Sequence, residues 1–104
     1  MASTIKMRAT ERNGVVVVKA LMAHPMETGQ RKDKKTGKKI PAHYITEVVG
    51  EHEGKRVMTA YWGPAISKNP YISFKFKGGK KGEKVRLSWK DNKGQSDSME
   101  VAIR

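Results

Sequence analysis

Three histidines, His24, His43 and His52, carry most of the acid–base and metal-binding potential of this chain. No cysteine accompanies them, which removes thiol nucleophiles, zinc ribbons, iron–sulfur ligation and disulfides together. His24 and His43 flank a long loop and can approach each other across a hairpin, which would make half of a metal site. A third ligand at sensible spacing is missing, and two histidines alone are weak ground for a metal. A His ahead of a Pro, as in His24-Pro25, suits a turn residue hydrogen-bonded to backbone. Met22 and Met26 offer thioether sulfur, a copper ligand, yet fit buried gap-filling better. Gly-x-Ser-x-Gly elbows, phosphate loops and paired-carboxylate motifs are absent from the sequence. The expectation is a chain with no catalytic residue, no metal and no cofactor of its own.

The chemistry the sequence does offer is cationic. A net charge of +12 and a pI near 10.1 in 104 residues predict attraction to something acidic. Arg31, Lys32, Lys34, Lys35, Lys38 and Lys39 crowd into residues 31–39 with Asp33 as the sole acid. Lys75, Lys77, Lys80, Lys81, Lys84 and Arg86 form a second group around Glu83. Such clusters read either as a surface that steers an anionic partner or as a solvated hairpin tip and a lysine-guarded edge strand. A nucleic-acid surface would pair phosphate-binding cations with stacking aromatics. Here Phe74, Phe76 and Trp89 alternate away from their neighbouring lysines and read as core. The expected partner-binding set is His24, Pro25 and Met26 at the start of the loop, with Arg31, Lys32, Lys34, Lys35, Lys38 and Lys39 along it.

Strands must position these residues, because period-2 alternation dominates the chain. Ile5, Met7 and Ala9 alternate with polar residues and lead to Asn13-Gly14, a strong hairpin signal. Val15 to Met22 is β-branched and continuous enough for a strand buried on both faces. Tyr44–Val49 and Arg56–Trp62 follow, separated by Glu51-His52-Glu53-Gly54. Gly63-Pro64 and Asn69-Pro70 bracket an irregular crossing. Ile72-Phe74-Phe76, Val85-Leu87-Trp89 and Met99-Val101-Ile103 supply the last apolar faces, with Asp91-Asn92-Lys93-Gly94 closing the final hairpin. About seven one-sided strands predict an all-β, immunoglobulin-like antiparallel sandwich without the usual cysteine pair, as in fibronectin-type variants. A five-stranded oligonucleotide-binding barrel is the alternative fold. One domain over 1–104 is expected, with no apolar run near the roughly 20 residues of a membrane span. The N-terminal residues lack the hydrophobic stretch of a secretory signal, so the chain is not expected to be exported by itself.

The connection from Met22 to Ile45 is far longer than most strand connections and asks for a functional reason. Its block Ala23-His24-Pro25-Met26-Glu27-Thr28-Gly29-Gln30-Arg31-Lys32-Asp33, then Ile40-Pro41, then Pro64 to Phe74 and Trp89-Lys90-Asp91-Asn92-Lys93-Gly94, resemble the SoxZ family of sulfur-oxidation proteins. The resemblance spans roughly residues 15–96. It implies an immunoglobulin-like, non-catalytic subunit that pairs with SoxY, as a heterodimer or a higher assembly. In that pair SoxY carries sulfur intermediates on a cysteine in a C-terminal Gly-Gly-Cys-Gly-Gly arm. It further implies a periplasmic location reached by co-export with signal-bearing SoxY, and transient contacts with the Sox cytochrome, hydrolase and dehydrogenase components. A basic nucleic-acid-binding barrel and an independent basic protein-binding module are the rival readings.

Overall fold

The apolar–polar alternation becomes seven strands in a computed structural model, which describes residues 4–104. Met1, Ala2 and Ser3, the start of the expected 1–104 domain, lie outside the described residues. In chain order the strands are β1 (Ile5–Arg12), β2 (Val15–Met22), β3 (Ile45–His52), β4 (Lys55–Tyr61), β5 (Tyr71–Lys77), β6 (Lys84–Asp91) and β7 (Ser96–Ala102). One sheet has the order β1-β2-β5 and the other β4-β3-β6-β7, with every neighbouring pair antiparallel. The fourth strand therefore pairs with β3 instead of joining the first sheet, as it does in antibody constant domains. The architecture is a β-sandwich and not a closed barrel. No helix among the described residues is long and apolar enough to cross a membrane.

Two hairpins follow directly from local chemistry. Asn13 and Gly14 have φ of 53° and 79°, and Glu53 and Gly54 have φ of 49° and 82°. Paired positive φ values define the turn whose twist matches flanking strands, so β1–β2 and β3–β4 close with two-residue loops.

The core is built from the inward faces: Ile5 and Ala9, Val16 to Met22 at alternate positions, Val48, and Val85, Leu87 and Trp89. Each of the valine, leucine, isoleucine and methionine side chains contributes about 1.5–3 kcal/mol when fully buried. β3 breaks the simple alternation, because Ile45 and Val48 are both buried at a spacing of three. A bulge between Ile45 and Glu47 absorbs the extra residue, setting Ile45 opposite Asp91 and Val48 opposite Trp89. Gly50, farther along β3, admits the Phe74 ring: a Cβ there would lie 2.7 Å from Phe74 Cζ.

One strand differs from expectation. β2 is not buried on both faces: Lys19 and Leu21 are exposed and Val15 and Val17 only half-buried. Continuous β-branched residues signal burial on both faces only when a layer covers each side of the sheet. Here the other sheet covers one side alone.

Candidate functional site

The long connection is an arm with its own ladder rather than an open loop. Glu27 and His43 exchange backbone hydrogen bonds of 2.6 and 2.9 Å. Farther out, Ile40 N–H donates to Arg31 O and Asp33 N–H to Lys38 O, and Gly37 N–H turns back to Asp33 O. The molecule spans 53 Å along its longest axis against 26 and 20 Å across.

The cations on the arm are not equivalent. Arg31 forks onto Glu27, its Nε donating to both carboxylate oxygens at 3.2 Å. That hydrogen bond holds the Glu27 carboxyl below its ordinary pKa. Asp33 accepts from Lys35 N–H at 2.8 Å and so shapes the turn. Lys32, Lys34, Lys35, Lys38 and Lys39 are exposed, and among the described residues none of them forms an ion pair.

At the root of the arm, three segments distant in sequence converge. His24 is 4% exposed and Asp91 6%. Asp91 Oδ2 accepts from His24 Nε2 at 3.1 Å and from His43 Nε2 at 2.8 Å. Asp91 Oδ1 accepts the backbone N–H groups of Lys93 and Gln95 at 3.0 and 2.8 Å. Burial alone would raise the Asp91 carboxyl, but the donors from His24, Gln95, His43 and Lys93 outweigh it and hold the group below its usual value. The His24 ring stands edge-on to Trp89 at 5.1 Å and to His43 at 4.5 Å.

Two asparagines complete the root. His24 N–H donates to Asn69 Oδ1, and Asn69 N–H returns to His24 O at 2.9 Å. Asn92 Oδ1 accepts from Tyr44 N–H while its Nδ2 donates to Ala42 O, both at 2.9 Å. Met26, in a left-handed conformation with φ of 49°, buries its side chain and accepts Ile45 N–H at Sδ.

His24, His43 and Asp91 present ligand atoms within 4.8 Å of one another, so the third donor that the sequence did not reveal is Asp91. Hydrogen-bond polarity decides what this cluster can do. Met26 N–H points at His24 Nδ1 at 3.2 Å, so Nδ1 accepts and Nε2 bears the proton it gives to Asp91. For His24 to ligate an ion between itself, His43 and Asp91, the tautomer would have to reverse, with a free lone pair at Nε2 and the proton at Nδ1. The donor set at His24 therefore matches a clamp and not a ligand. With His24 and Asp91 closed to solvent, the clamp fixes where the arm leaves the sandwich.

The expected partner-binding set is divided by the fold. His24 and Met26 are buried in the clamp, Pro25 is exposed beside them, and Arg31, Lys32, Lys34, Lys35, Lys38 and Lys39 line the exposed arm. The second cationic group is scattered. Lys75 and Lys77 face outward from the three-stranded sheet, Lys80 and Lys81 sit in the β5–β6 connection, and Lys84 and Arg86 belong to the four-stranded sheet. Asp91, Asn69 and Asn92 escaped sequence reasoning as site residues, being read as turn and crossing positions. The available signal was that the unusual blocks Ala23–Asp33, Pro64–Phe74 and Trp89–Gly94 each supply one side of a single clamp. No curated protein matches the chain. The family model for the sulphur oxidation protein SoxZ matches residues 5–102, nearly the full length, and the chain belongs to that family.

Proposed function

We propose that this chain is the non-catalytic subunit of a SoxYZ-type carrier, pairing with a SoxY whose cysteine arm holds the sulfur intermediates. Membership of the SoxZ family makes the protein a component of sulfur oxidation with partners in the Sox system. The absence of cysteine supports the finer reading, because a covalent sulfur carrier needs a thiol and this chain has none to offer. The thiol must then come from the partner. The observation that carries the proposal is the clamped arm: a buried, hydrogen-bonded root leads to lysines that form no ion pair among the described residues, which suits presentation to partners better than chemistry. The same reading places the pair in the periplasm, reached by co-export with signal-bearing SoxY. There it makes short-lived contacts with the cytochrome, hydrolase and dehydrogenase components.

Reconstitution tests it. Thiosulfate-dependent cytochrome reduction by purified Sox enzymes and SoxY is expected to require this chain, which co-elutes with SoxY in equal amounts. Full turnover without the chain, or failure to co-elute, overturns the carrier role. Fractionation of cells expressing the chain with and without signal-bearing SoxY tests the location, with periplasmic recovery expected only in the pair.

A further inference from the structure

A second cationic surface lies on the outward face of the β1-β2-β5 sheet. Register sets Arg8 directly opposite Lys19, and Val17 opposite Lys75. Val15 falls between Arg12 and Lys77 in the same way. The half-buried Val15 and Val17 form the floor of a groove of about 630 Å³, rimmed by Arg8, Arg12, Lys19 and Lys75. Outward positions on these three strands carry six cations and no carboxylate. Like charges directly opposite across strands destabilise a sheet, so the Arg8–Lys19 pair is an electrostatic fault in the free protein.

The other sheet shows what the fold does when charge serves structure. There register sets Glu51 between Arg56 and Arg86, Arg86 opposite Glu100, and Glu47 opposite Lys90. Signs alternate across the strands. The uniform face of the first sheet is thus not a by-product of a basic composition.

We propose that the β1-β2-β5 face docks an acidic protein segment in extended conformation. Its carboxylates meet Arg8, Lys19 and Lys75, and its alternate apolar side chains rest on Val15 and Val17. An extended chain repeats on each face at the spacing of a strand, which matches a floor and rim built by strand alternation. Nucleic acid fits less well, because the floor is aliphatic and Tyr71 is the one aromatic on this face. A second copy is disfavoured by a net charge of +12 on each chain. The inference rests on sheet register and is independent of pairing with SoxY.

Amide chemical-shift titration of the full chain tests it, using a synthetic peptide alternating Glu and Val. Shifts are expected at Arg8, Val15, Val17, Lys19 and Lys75. The double variant Arg8→Ser/Lys19→Ser is expected to weaken binding on the order of tenfold, as loss of two partly exposed ion pairs would. The same variant is expected to melt at the wild-type temperature or above it, because its like-charge pair is gone. Equal binding of polyglutamate, tighter binding of duplex DNA or phosphatidylserine vesicles at these amides, shifts confined to Arg31–Lys39, or a lowered melting temperature would each overturn the proposal.

Discussion

The arm obeys different rules at its two ends. At the root, His24 and Asp91 are shut away from water, and no buried side-chain nitrogen or oxygen among the described residues lacks a partner. At the tip, Lys32, Lys34, Lys35, Lys38 and Lys39 stand exposed without an ion pair among the described residues. Buried hydrogen bonds are costly to leave unmade, so root residues control stability and the angle at which the arm departs. Exposed charges gain little from any single contact but together can speed encounter with an anionic partner, the role that the proposed presentation to partners would give the tip. On that proposal one connection separates holding from steering, and each end should be open to damage without the other.

The largest effect is expected at Asp91. Asp91→Ala removes the acceptor for two histidine N–H groups and two backbone N–H groups at once. Leaving a buried N–H without its acceptor costs about 1–3 kcal/mol for each group, so the sum is a large share of the roughly 5–15 kcal/mol that holds a typical domain. Urea unfolding measures it. A loss below about 1 kcal/mol would make the root ornamental and erase the contrast with the tip.

Asn92→Ala comes next, because it deletes one acceptor and one donor that tie β6 to Ala42 and Tyr44. A cost of about 1–2 kcal/mol is expected, with both bonds partly replaced by water at this exposed position. Hydrogen exchange at the Tyr44 amide should accelerate in the variant. Unchanged protection there would show that Asn92 does not anchor the arm.

Acid should loosen the root before the tip. The folded Asp91 carboxyl titrates below its ordinary value, so its contribution is fully present above an unfolded pKa of about 3.9 and fades as pH falls through the lower folded value. Glu27 and Glu83 are depressed as well, the former by Arg31 and the latter first by the Lys80 N–H and then by His52. A comparison isolates Asp91: the melting temperature of wild type should fall more steeply below about pH 4 than that of Asp91→Asn. Parallel curves would remove Asp91 from the pH response.

The strands were legible in the sequence because each is a local pattern. Ile72-Phe74-Phe76 and Val85-Leu87-Trp89 announce their inward faces, and Asn13-Gly14 announces its turn. The outward face of β2 was misread because Val15 and Val17 match a buried strand in type, and only the missing layer above them shows otherwise. The clamp was half legible. His24 and His43 were seen to flank the arm, but Asp91 lies 67 and 48 residues away from them. A carboxylate at the end of a hairpin looks the same in sequence whether it caps a turn or receives two imidazoles. The bulge between Ile45 and Glu47 was hidden for a related reason, since a spacing of three between apolar residues fits several backbones until a partner strand is known.

The smallest effect on stability, and the sharpest test of the contrast, belongs to the tip. Reversing Lys34, Lys35 and Lys38 to Glu should change unfolding free energy by less than about 0.5 kcal/mol, because surface substitutions away from caps and buried groups rarely exceed that. Association with an acidic Sox partner should nevertheless slow about tenfold or more at low salt, with a flatter salt dependence and little change in dissociation. Asp91→Ala should behave in the opposite way under conditions where it stays folded: the tip charge is intact, so the salt slope persists while stability falls. Stopped-flow mixing across a salt series, run beside urea unfolding on both variants, reads the two quantities independently. If the triple reversal leaves the association rate unchanged, the lysines are a solvated hairpin tip and the arm serves structure alone. If it destabilises the fold as strongly as Asp91→Ala, root and tip are one cooperative unit and the division of labour between them does not exist.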